Sequence, residues 1–564
     1  MRSTWLVLAL LSLSTASPLG SQAEQPLQRL HGHSASADAA RRGSLSGVVR
    51  RGGDSAHRFL NDVTKDFVVN GTTLPEVDFD IGESYAGQLP ISQEADERDH
   101  MFFWFFPTAN EEHKETKEIV IWLNGGPGCS SLLGLIQENG PFLWPPGLRK
   151  PVSNPWSWHL LSNIVYVEQP VTVGFSQGTA TAKDEDDVAR QFLGFWKNLM
   201  RLFSLEGYRV YVVAESYGGY YGPYIASHMV DANDGRYYDV AGLMIYDGIM
   251  FNEVVQSGVV SESFVEQHRD LMPLDDATMA RVHNVSERCG FADYRRTYLA
   301  YPPAGPAPRV PPGSTAGPDG SPVPDPECER LFVDVYEAMR EINPCFNIYN
   351  IPDHCPRPDD AVGPAGPYFD RADVKRAMHA PAEVRWSQCV DGVFNSSRGD
   401  RSPPPDAHEL PNVVDATGNV IIAHGAMDYI LPLDGVLLGL QNMTWGGRLG
   451  FQTAPSDPFY VPRYGFNGSD AAVYYGSLLP SGSGVQGTAH HERGLTLVVT
   501  QLAGHEGPAY AAAGAFRHLE KLLGRVRSLT DTEPFTIPEL RGVAQAEKPL
   551  GKGTVKIPYR AGGY

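Results

Sequence analysis

A serine with a small residue two positions to each side follows an apolar stretch in Tyr211-Val-Val-Ala-Glu-Ser-Tyr-Gly-Gly219. A strand that turns sharply into a helix exposes a serine hydroxyl at the end of a sheet, and bulky neighbours would clash in that turn. The usual pattern has glycine two residues before and two after the serine; here Ala214 takes the first position and Gly218 the second. The segment predicts that Ser216 is a nucleophile, with a serine in an ordinary loop as the alternative.

An aspartate and a histidine follow two later apolar stretches. Val420–Ala423 leads to Asp428, and Leu495–Thr500 leads to His505. Serine, aspartate and histidine in this chain order, each after a strand, is the order of the catalytic triad in α/β-hydrolase folds. A single aspartate or histidine after a strand usually caps a helix or lies on the surface. We predict that Ser216 attacks, that His505 takes and returns the proton, and that Asp428 orients the imidazole.

A glycine-rich turn follows another apolar stretch, in Trp122-Leu-Asn-Gly-Gly-Pro-Gly-Cys-Ser-Ser131. Glycine lets backbone N–H groups approach a substrate, as an oxyanion hole requires; a purely structural turn is the alternative. The segment lacks the length and the lysine of a phosphate-binding loop. The chain also has no His-Glu-x-x-His motif, and His490-His491-Glu492 lacks its spacing. We therefore expect neither a metal nor a cofactor.

Short apolar stretches alternate with amphipathic patterns along most of the chain. The stretches are Glu118–Leu123, Asn163–Val167, Tyr208–Val213, Val240–Ile245, Val420–Ala423 and Leu495–Thr500, and the helical patterns include 187–203, 220–229 and 509–523. Nearly continuous apolar runs are typical of buried parallel strands. Their alternation with helices predicts an α/β-hydrolase fold, with a mostly parallel central sheet and helices on both faces.

A proline-rich segment interrupts this alternation. Residues 302–327 contain ten prolines, and four of the six cysteines surround the segment: Cys289, Cys328, Cys345 and Cys355. Such composition is typical of a surface excursion without its own core. We predict one catalytic domain over residues 61–564, with a disulfide-stapled insertion at about 254–364.

The N-terminus has the order of a secretory signal peptide. Arg2 precedes an apolar run at 5–13 and small residues at 14–17, which predicts a signal peptide over 1–17. Residues 18–60 are polar and contain two Arg-Arg pairs, as expected of a propeptide or a disordered extension. Six cysteines fit an oxidising compartment. Five sequons predict glycosylation at Asn70, Asn284, Asn395, Asn442 and Asn467.

These features predict a secreted or vacuolar protein. No later stretch is long and apolar enough for a membrane anchor. With 46 Lys+Arg against 66 Asp+Glu, the net charge of −20 argues against nucleic acid as a partner, because phosphate binding needs a basic surface.

From about residue 67 to 525 the chain resembles the serine carboxypeptidase family. The segments that carry the resemblance are Trp122–Ser131, Glu138-Asn-Gly-Pro141, Asn154-Pro-Trp-Ser-Trp158, Gln169-Pro170 to Gly174-Phe-Ser176, Glu215-Ser-Tyr-Gly-Gly219, Trp386-Ser-Gln-Cys389 and Gly504-His-Glu-Gly-Pro508. The resemblance implies release of C-terminal amino acids from peptides and proteins, through an acyl-enzyme. We expect this activity at acidic pH, because Glu138 and Glu215 would share one site with the carboxylate of the substrate, and three carboxyl groups there cannot all ionise cheaply. An acyltransferase or esterase on the same scaffold stays open, and a catalytically inactive binding protein is a weaker alternative.

The resemblance also implies roles for individual residues. The backbone N–H groups of Gly126 and Tyr217 match the oxyanion hole. Four positions match those that hold the free carboxylate of the substrate: Asn124, Gly125, Glu138 and Glu215. A chain end held one residue from Ser216 leaves only the last peptide bond within reach.

The resemblance pairs Cys129 with Cys389. The other four cysteines allow three pairings, of which we expect the nested one, Cys289–Cys355 with Cys328–Cys345. Two positions depart from the family, Ala214, where glycine is usual, and Ala426. Ala426 stands where a second aspartate is usual. Glu506 follows the histidine where some members have methionine, which favours a shift toward basic leaving residues.

Overall fold

The structure is a computed structural model that describes residues 57–318, 320–356, 358–363, 366–397, 399–464 and 482–540. Backbone contacts divide the chain into Met1–Arg58 and Phe59–Tyr564, and the fold below belongs to the second unit. The predicted signal peptide, nearly all of the predicted extension and the sequon at Asn467 lie outside the described residues.

A large mixed sheet forms the centre of the second unit. Its strands, numbered in chain order, are β1 Val68–Val69, β2 Ser84–Pro90, β3 His100–Phe106, β4 Glu118–Leu123, β5 Asn163–Glu168, β6 Arg209–Glu215, β7 Asp239–Tyr246, β8 Val420–Gly425, β9 Asp457–Val461, β10 Gly484–Glu492 and β11 Leu495–Thr500. Every residue of β4, β5, β8 and β11 is buried. Continuous burial explains why these strands are apolar without alternation.

The strands lie in the order β1-β2-β3-β5-β4-β6-β7-β8-β11-β10-β9. The six strands from β5 to β11 in this order run parallel to their neighbours. Both flanks are antiparallel. The predicted fold class, an α/β-hydrolase sheet that is mostly parallel at its centre, is confirmed.

Helices cover both faces of this sheet. The helices of eight or more residues in the described ranges are α1 Glu185–Leu202, α2 Gly218–Ala232, α3 Asp276–Arg288, α4 Phe291–Tyr298, α5 Pro326–Ile342, α6 Glu409–Thr417, α7 Leu433–Asn442 and α8 Ala512–Leu522. Consecutive residues of a strand point to opposite faces. On β7, a Cβ at Gly242 would lie 3.0 Å from Leu522 of α8, whereas the next side chain, Leu243, meets Gly222 of α2. Therefore α2 and α8 lie on opposite faces.

A mainly helical segment connects β7 to β8. It contains α3, α4 and α5, the short helices Glu253–Gln256, Ser261–Gln267 and Ala372–Ala377, and a ladder of Ser314–Ala316 with Pro322–Pro324. None of the helices in the described ranges is both long and apolar enough to cross a bilayer.

The two disulfides of this segment are Cys289–Cys328 and Cys345–Cys355, so the nested pairing, Cys289–Cys355 with Cys328–Cys345, was wrong. Cys289 caps the end of α3, and Cys328 lies in the first turn of α5. These two helices pack together, with 5.8 Å between the two Cα atoms. The proline-rich stretch between them folds back as a hairpin, which returns the chain to Cys289 and leaves Cys345 and Cys355 for a local bridge.

Candidate active site

Ser216 lies between β6 and α2 with φ of 62°, in the left-handed region that non-glycine residues rarely adopt. Hydrogen bonds hold it there: its N–H donates to the Tyr246 carbonyl at 3.0 Å, and its carbonyl accepts from Gly219 and Ile249. The neighbouring strand β7 thereby supports the turn. Strain of this kind is typical of functional sites, and the elbow places Ser216 at the carboxyl end of β6, where it is partly exposed.

The structure explains the alanine in this elbow. The methyl group of Ala214 faces two glycines of α2, and a Cβ would come within 2.8 Å of it at Gly218 and within 3.2 Å at Gly222. Because both helix positions lack a side chain, the methyl group fits between strand and helix. Ala214 in place of the usual glycine leaves the turn intact.

Asp428 and His505 are hydrogen-bonded at the ends of β8 and β11. His505 Nδ1 lies 2.8 Å from Asp428 Oδ2. The other oxygen, Asp428 Oδ1, accepts the N–H groups of Ile430 and Leu431. Asp428 is fully buried and His505 nearly so. An aspartate that accepts from Nδ1 leaves Nε2 as the basic nitrogen, and Nε2 has no partner among the described residues.

Burial and charge act in opposite directions on this pair. Burial by itself lowers the pKa of His505, but the charges of Asp428, Glu506 and Glu138 outweigh it, and the net shift is upward. Burial raises the pKa of Asp428, and the charge of His505 opposes that change. The aspartate thus stabilises an imidazolium at His505, as a triad requires.

The glycine-rich turn packs directly against the serine elbow. A Cβ at Gly125 would lie 2.4 Å from the Tyr217 nitrogen and 2.8 Å from Ser216 Cβ, so only glycine fits there. Gly126 has φ of 116°, which also favours glycine. Neither Gly126 nor Tyr217 donates its backbone N–H to another described residue. Two free N–H groups therefore lie at the elbow, as an oxyanion hole needs.

A disulfide and a buried glutamate brace this turn. Cys129 is bonded to Cys389, as expected. Glu168, at the end of β5, accepts hydrogen bonds from the Ser130 hydroxyl, the Phe175 N–H and, at 3.1 Å, the Trp386 indole N–H. Burial raises the pKa of Glu168 to about 7, although these three donors oppose the shift.

Two acidic residues and an amide lie beside the serine. Asn124 Nδ2 donates to Glu215 Oε1 at 3.0 Å and to Glu138 Oε1 at 3.4 Å. Its Oδ1 accepts from the Trp122 indole and the Gly134 N–H, which fixes the orientation of the amide. Glu138 lies in the helical turn Leu135–Asn139 and Glu215 ends β6, so separate elements bring the two together.

The two carboxyl groups lie beside each other, because both accept from the Asn124 amide, and each shifts the pKa of the other. Their Oε2 atoms find no N–H or O–H donor among the described residues, so one carboxyl can satisfy the other only if the pair holds a proton. Burial raises the pKa of Glu138 to about 7. Burial, followed by the charge of Glu138, raises the pKa of Glu215 well above its ordinary value. A pair that shares a proton can donate a hydrogen bond to an anion.

Known proteins resemble this chain over the residues that form the sheet and the candidate site. A sequence model of the family described as serine carboxypeptidase matches residues 75–525. This chain belongs to the serine carboxypeptidase family. A probable serine carboxypeptidase of Arthroderma benhamiae is 42% identical over 491 residues, 84% of this chain and 88% of the relative. Serine-type carboxypeptidase F of Aspergillus niger is 40% identical over 487 residues, 83% of this chain and 88% of the relative.

A solved structure is similar in fold. Kex1(Δ)p, a prohormone-processing carboxypeptidase from Saccharomyces cerevisiae, superposes with a TM-score of 0.65 at 21% identity, covering 85% of this chain and 98% of its own. The family match and the two relatives show that the protein is a serine-type carboxypeptidase, a hydrolase whose family acts on peptides. The predicted family and activity class are confirmed.

The carboxypeptidase also has two buried residues behind Asp428 that the sequence did not point to. Asp247 follows β7, and His424 belongs to β8; their donor atoms and those of Asp428 lie within 4.8 Å of one another. Burial lowers the pKa of His424 to about 3 and raises that of Asp247 well above its ordinary value. Three such groups could hold a metal ion. Both oxygens of Asp428 already accept hydrogen bonds, however, which fits a supporting layer better than a metal centre.

Glu168 was also missed in the sequence. Its signal was present only indirectly, because three segments of the family resemblance, 122–131, 169–176 and 386–389, contain its hydrogen-bond donors. The four predicted glycosylation sites within the described residues are all exposed: Asn70, Asn284, Asn395 and Asn442.

Proposed function

We propose that this carboxypeptidase cleaves the last peptide bond of its substrates through an acyl-enzyme on Ser216. His505 Nε2, which has no partner among the described residues, takes the serine proton as the hydroxyl oxygen attacks the carbonyl carbon. The same proton then goes to the leaving amine as the C–N bond breaks. Water then attacks the carbonyl carbon of the Ser216 ester while His505 takes a proton from it. The proton returns to the Ser216 oxygen as the ester bond breaks and the acid product leaves. Asp428 holds His505 through Nδ1 at 2.8 Å.

The N–H groups of Gly126 and Tyr217 hold the oxyanion of each tetrahedral intermediate in this proposal. Both are free of hydrogen bonds to other described residues, and both lie in backbone held by its neighbours. Donors fixed in advance at the position of developing charge contribute the largest single part of many such rate enhancements.

The restriction to the chain end rests on the Glu138/Glu215 pair, and this observation carries the proposal. Two buried carboxyl groups that share a proton, together with Asn124 and Gly125, form a site that donates hydrogen bonds to the terminal carboxylate. A fully ionised pair would repel that carboxylate. Peptide binding should therefore be strongest at acidic pH and weaken as pH rises through the upper pKa of the pair, which burial and the charge of Glu138 raise well above the ordinary value of a glutamate.

The test is KM against pH for one N-blocked dipeptide as the free acid and as the C-terminal amide. In wild type, KM for the acid should rise about tenfold per pH unit above the upper pKa of the pair, while KM for the amide changes much less. The Glu138→Gln/Glu215→Gln variant keeps donors without charge, so its KM for the acid should lose the alkaline rise. Curves of the same shape in both enzymes would exclude the pair as the carboxylate site.

The same assay distinguishes a peptidase from an acyltransferase on this scaffold. Release of the free C-terminal amino acid in buffer supports the peptidase, whereas turnover that needs an added alcohol supports acyl transfer. We also propose that the enzyme enters the secretory pathway and is secreted or vacuolar. Three disulfides and four exposed sequons support that route.

A further inference from the structure

A short loop closed by a disulfide lies between α5 and the rest of the connection to β8. It comprises residues 345–355, and we name it the Cys345–Cys355 loop. Asp353 organises it from within, because its two carboxylate oxygens accept from Asn350 Nδ2 at 2.6 Å and Asn347 Nδ2 at 2.8 Å. The loop therefore has a defined shape that rests on one covalent bridge and one side chain.

The loop is hydrogen-bonded to the segment that carries Asp428. The Ile351 N–H donates to the Met427 carbonyl at 3.1 Å, one residue before Asp428. The Ile348 carbonyl accepts the N–H groups of Tyr429 and Ile430, each at 3.0 Å, directly after it. The backbone on both sides of the aspartate is thus held by the loop.

The loop also contacts the segment that carries His505. The Tyr349 backbone carbonyl accepts the His505 backbone N–H at 2.8 Å. The Tyr349 ring also lies beside the His505 imidazole, with ring centroids 5.1 Å apart. A Cβ at Gly504 would lie only 2.3 Å from that carbonyl, so the approach requires glycine beside the histidine. Consecutive residues of the loop, 348 and 349, therefore hold the two segments that follow β8 and β11.

We propose that the Cys345–Cys355 loop is a positioning element of the active site, which sets the hydrogen bond between Asp428 and His505. The proposal rests on the proposed function, in which these two residues and Ser216 form the triad. The loop provides no group to the reaction. It acts through backbone hydrogen bonds to both partners, so opening it should displace the imidazole while the substrate site at Glu138 and Glu215 stays in place.

The test compares two disulfide variants of the full chain. Cys345→Ser/Cys355→Ser opens the loop, and Cys289→Ser/Cys328→Ser removes the other bridge of the same connection. Cys289 and Cys328 lie at α3 and α5, away from the hydrogen bonds just described. The control bridge, Cys289–Cys328, closes a loop of 39 residues, whereas Cys345–Cys355 closes one of 10. Loss of the control bridge should therefore lower thermal stability more than loss of the Cys345–Cys355 bridge. A purely structural role would rank the two variants in that order for activity as well.

We expect the opposite order for turnover. With active sites counted by exhaustive fluorophosphonate labelling, Cys345→Ser/Cys355→Ser should lower kcat about 10- to 100-fold, the scale of a misplacement near 1 Å. KM should change less than about threefold, and the control variant should keep kcat within about twofold. The acidic limb of kcat against pH should also move to lower pH, because Asp428 raises the pKa of His505 and a looser pair loses that effect.

A second pair of variants leaves both bridges intact. Asp353→Ala removes both acceptors for Asn347 and Asn350, whereas Asp353→Asn keeps one. Both remove the negative charge, so a larger fall in kcat for Ala than for Asn reports the loss of the side chain that holds Asn347 and Asn350 and not the loss of charge. This pair decides the question if the cysteine variant does not fold.

A kcat loss confined to the loop variants, with a shifted acidic limb, supports the proposal. Equal kcat in the loop and control variants, or loop variants with unchanged kcat and pH profile, overturns it. Ser216→Ala is measured alongside: if that variant keeps its activity, the proposed triad is wrong, whereas an inactive Ser216→Ala with normal loop variants refutes only the role of the loop.

Discussion

The buried carboxyl of Glu168 predicts a measurable pH dependence of stability. Burial raises its pKa to about 7 in the folded chain, against about 4.3 in an unfolded one. The folded state therefore binds more protons between these values. The stabilisation is complete below about pH 4 and is lost as pH rises through about 7. At about 1.4 kcal/mol per pH unit, going from pH 5 to pH 8 should cost about 2–3 kcal/mol through this residue.

Glu168→Gln isolates that contribution, because an amide does not ionise. Its NH₂ group must face either the Trp386 indole N–H or the Phe175 N–H, both of which now donate to the carboxyl. One donor facing another should cost about 1–3 kcal/mol at every pH. The variant should therefore be less stable than wild type at pH 5 and closest to it, or equal, at pH 8.

The assay is urea unfolding at pH 5, 6, 7 and 8 with all disulfides intact. Asp434→Asn is the matched control, because burial raises the pKa of that carboxyl to about 7 at a site in α7. It should flatten the pH dependence by a similar amount and leave kcat unchanged, and the double variant should add the two effects. If Glu168→Gln loses as much free energy of unfolding from pH 5 to 8 as wild type does, Glu168 is not protonated in the folded enzyme and the reasoning fails.

Three further predictions concern the active site. Ser216→Ala should fold normally and lose turnover by roughly a million-fold, and mass mapping of a fluorophosphonate adduct on any other serine would contradict the assignment. Loss of the Cys129–Cys389 bridge, which closes 260 residues, should lower the free energy of unfolding by about 5.6 kcal/mol in the loop-entropy treatment, and a denaturant titration measures it. Glu506→Gln should raise KM for peptides ending in lysine or arginine more than for those ending in leucine, because Glu506 shares an electrostatic environment with the acidic pair; equal changes would exclude a role in specificity.

The parallel strands could be predicted from the sequence because burial on both faces leaves a continuous apolar run. The predicted Glu118–Leu123 and Leu495–Thr500 have the observed bounds. The antiparallel flanks could not be predicted in the same way. His100–Phe106 is also a continuous apolar run, yet it pairs antiparallel with both neighbours. Such a run specifies that a strand is buried and leaves its direction open, since direction depends on the connections.

The predicted helix at 509–523 shows a second limit. The structure divides it into Gly507–Tyr510 and Ala512–Leu522, with Ala511 outside the helical region at φ of −144° and ψ of 59°. Apolar periodicity continues across the break and gives no sign of it. Glu168 shows a third limit, because its partners are at positions 130, 175 and 386 and meet only in the folded chain.

The parallel sheet explains where the site lies, and two disulfide-closed segments explain how its groups are oriented. The carboxyl ends of β4, β6, β8 and β11 bring the glycine turn, Ser216, Asp428 and His505 to one edge. The ends of the strands bring these side chains near one another but do not set their orientation. Proton transfer needs donor and acceptor atoms at hydrogen-bond distance, so other contacts must orient them. The Cys129–Cys389 bridge braces the turn that carries Gly126, and the Cys345–Cys355 loop holds the other two segments by backbone hydrogen bonds. Loosening either segment should therefore lower turnover while the sheet stays folded.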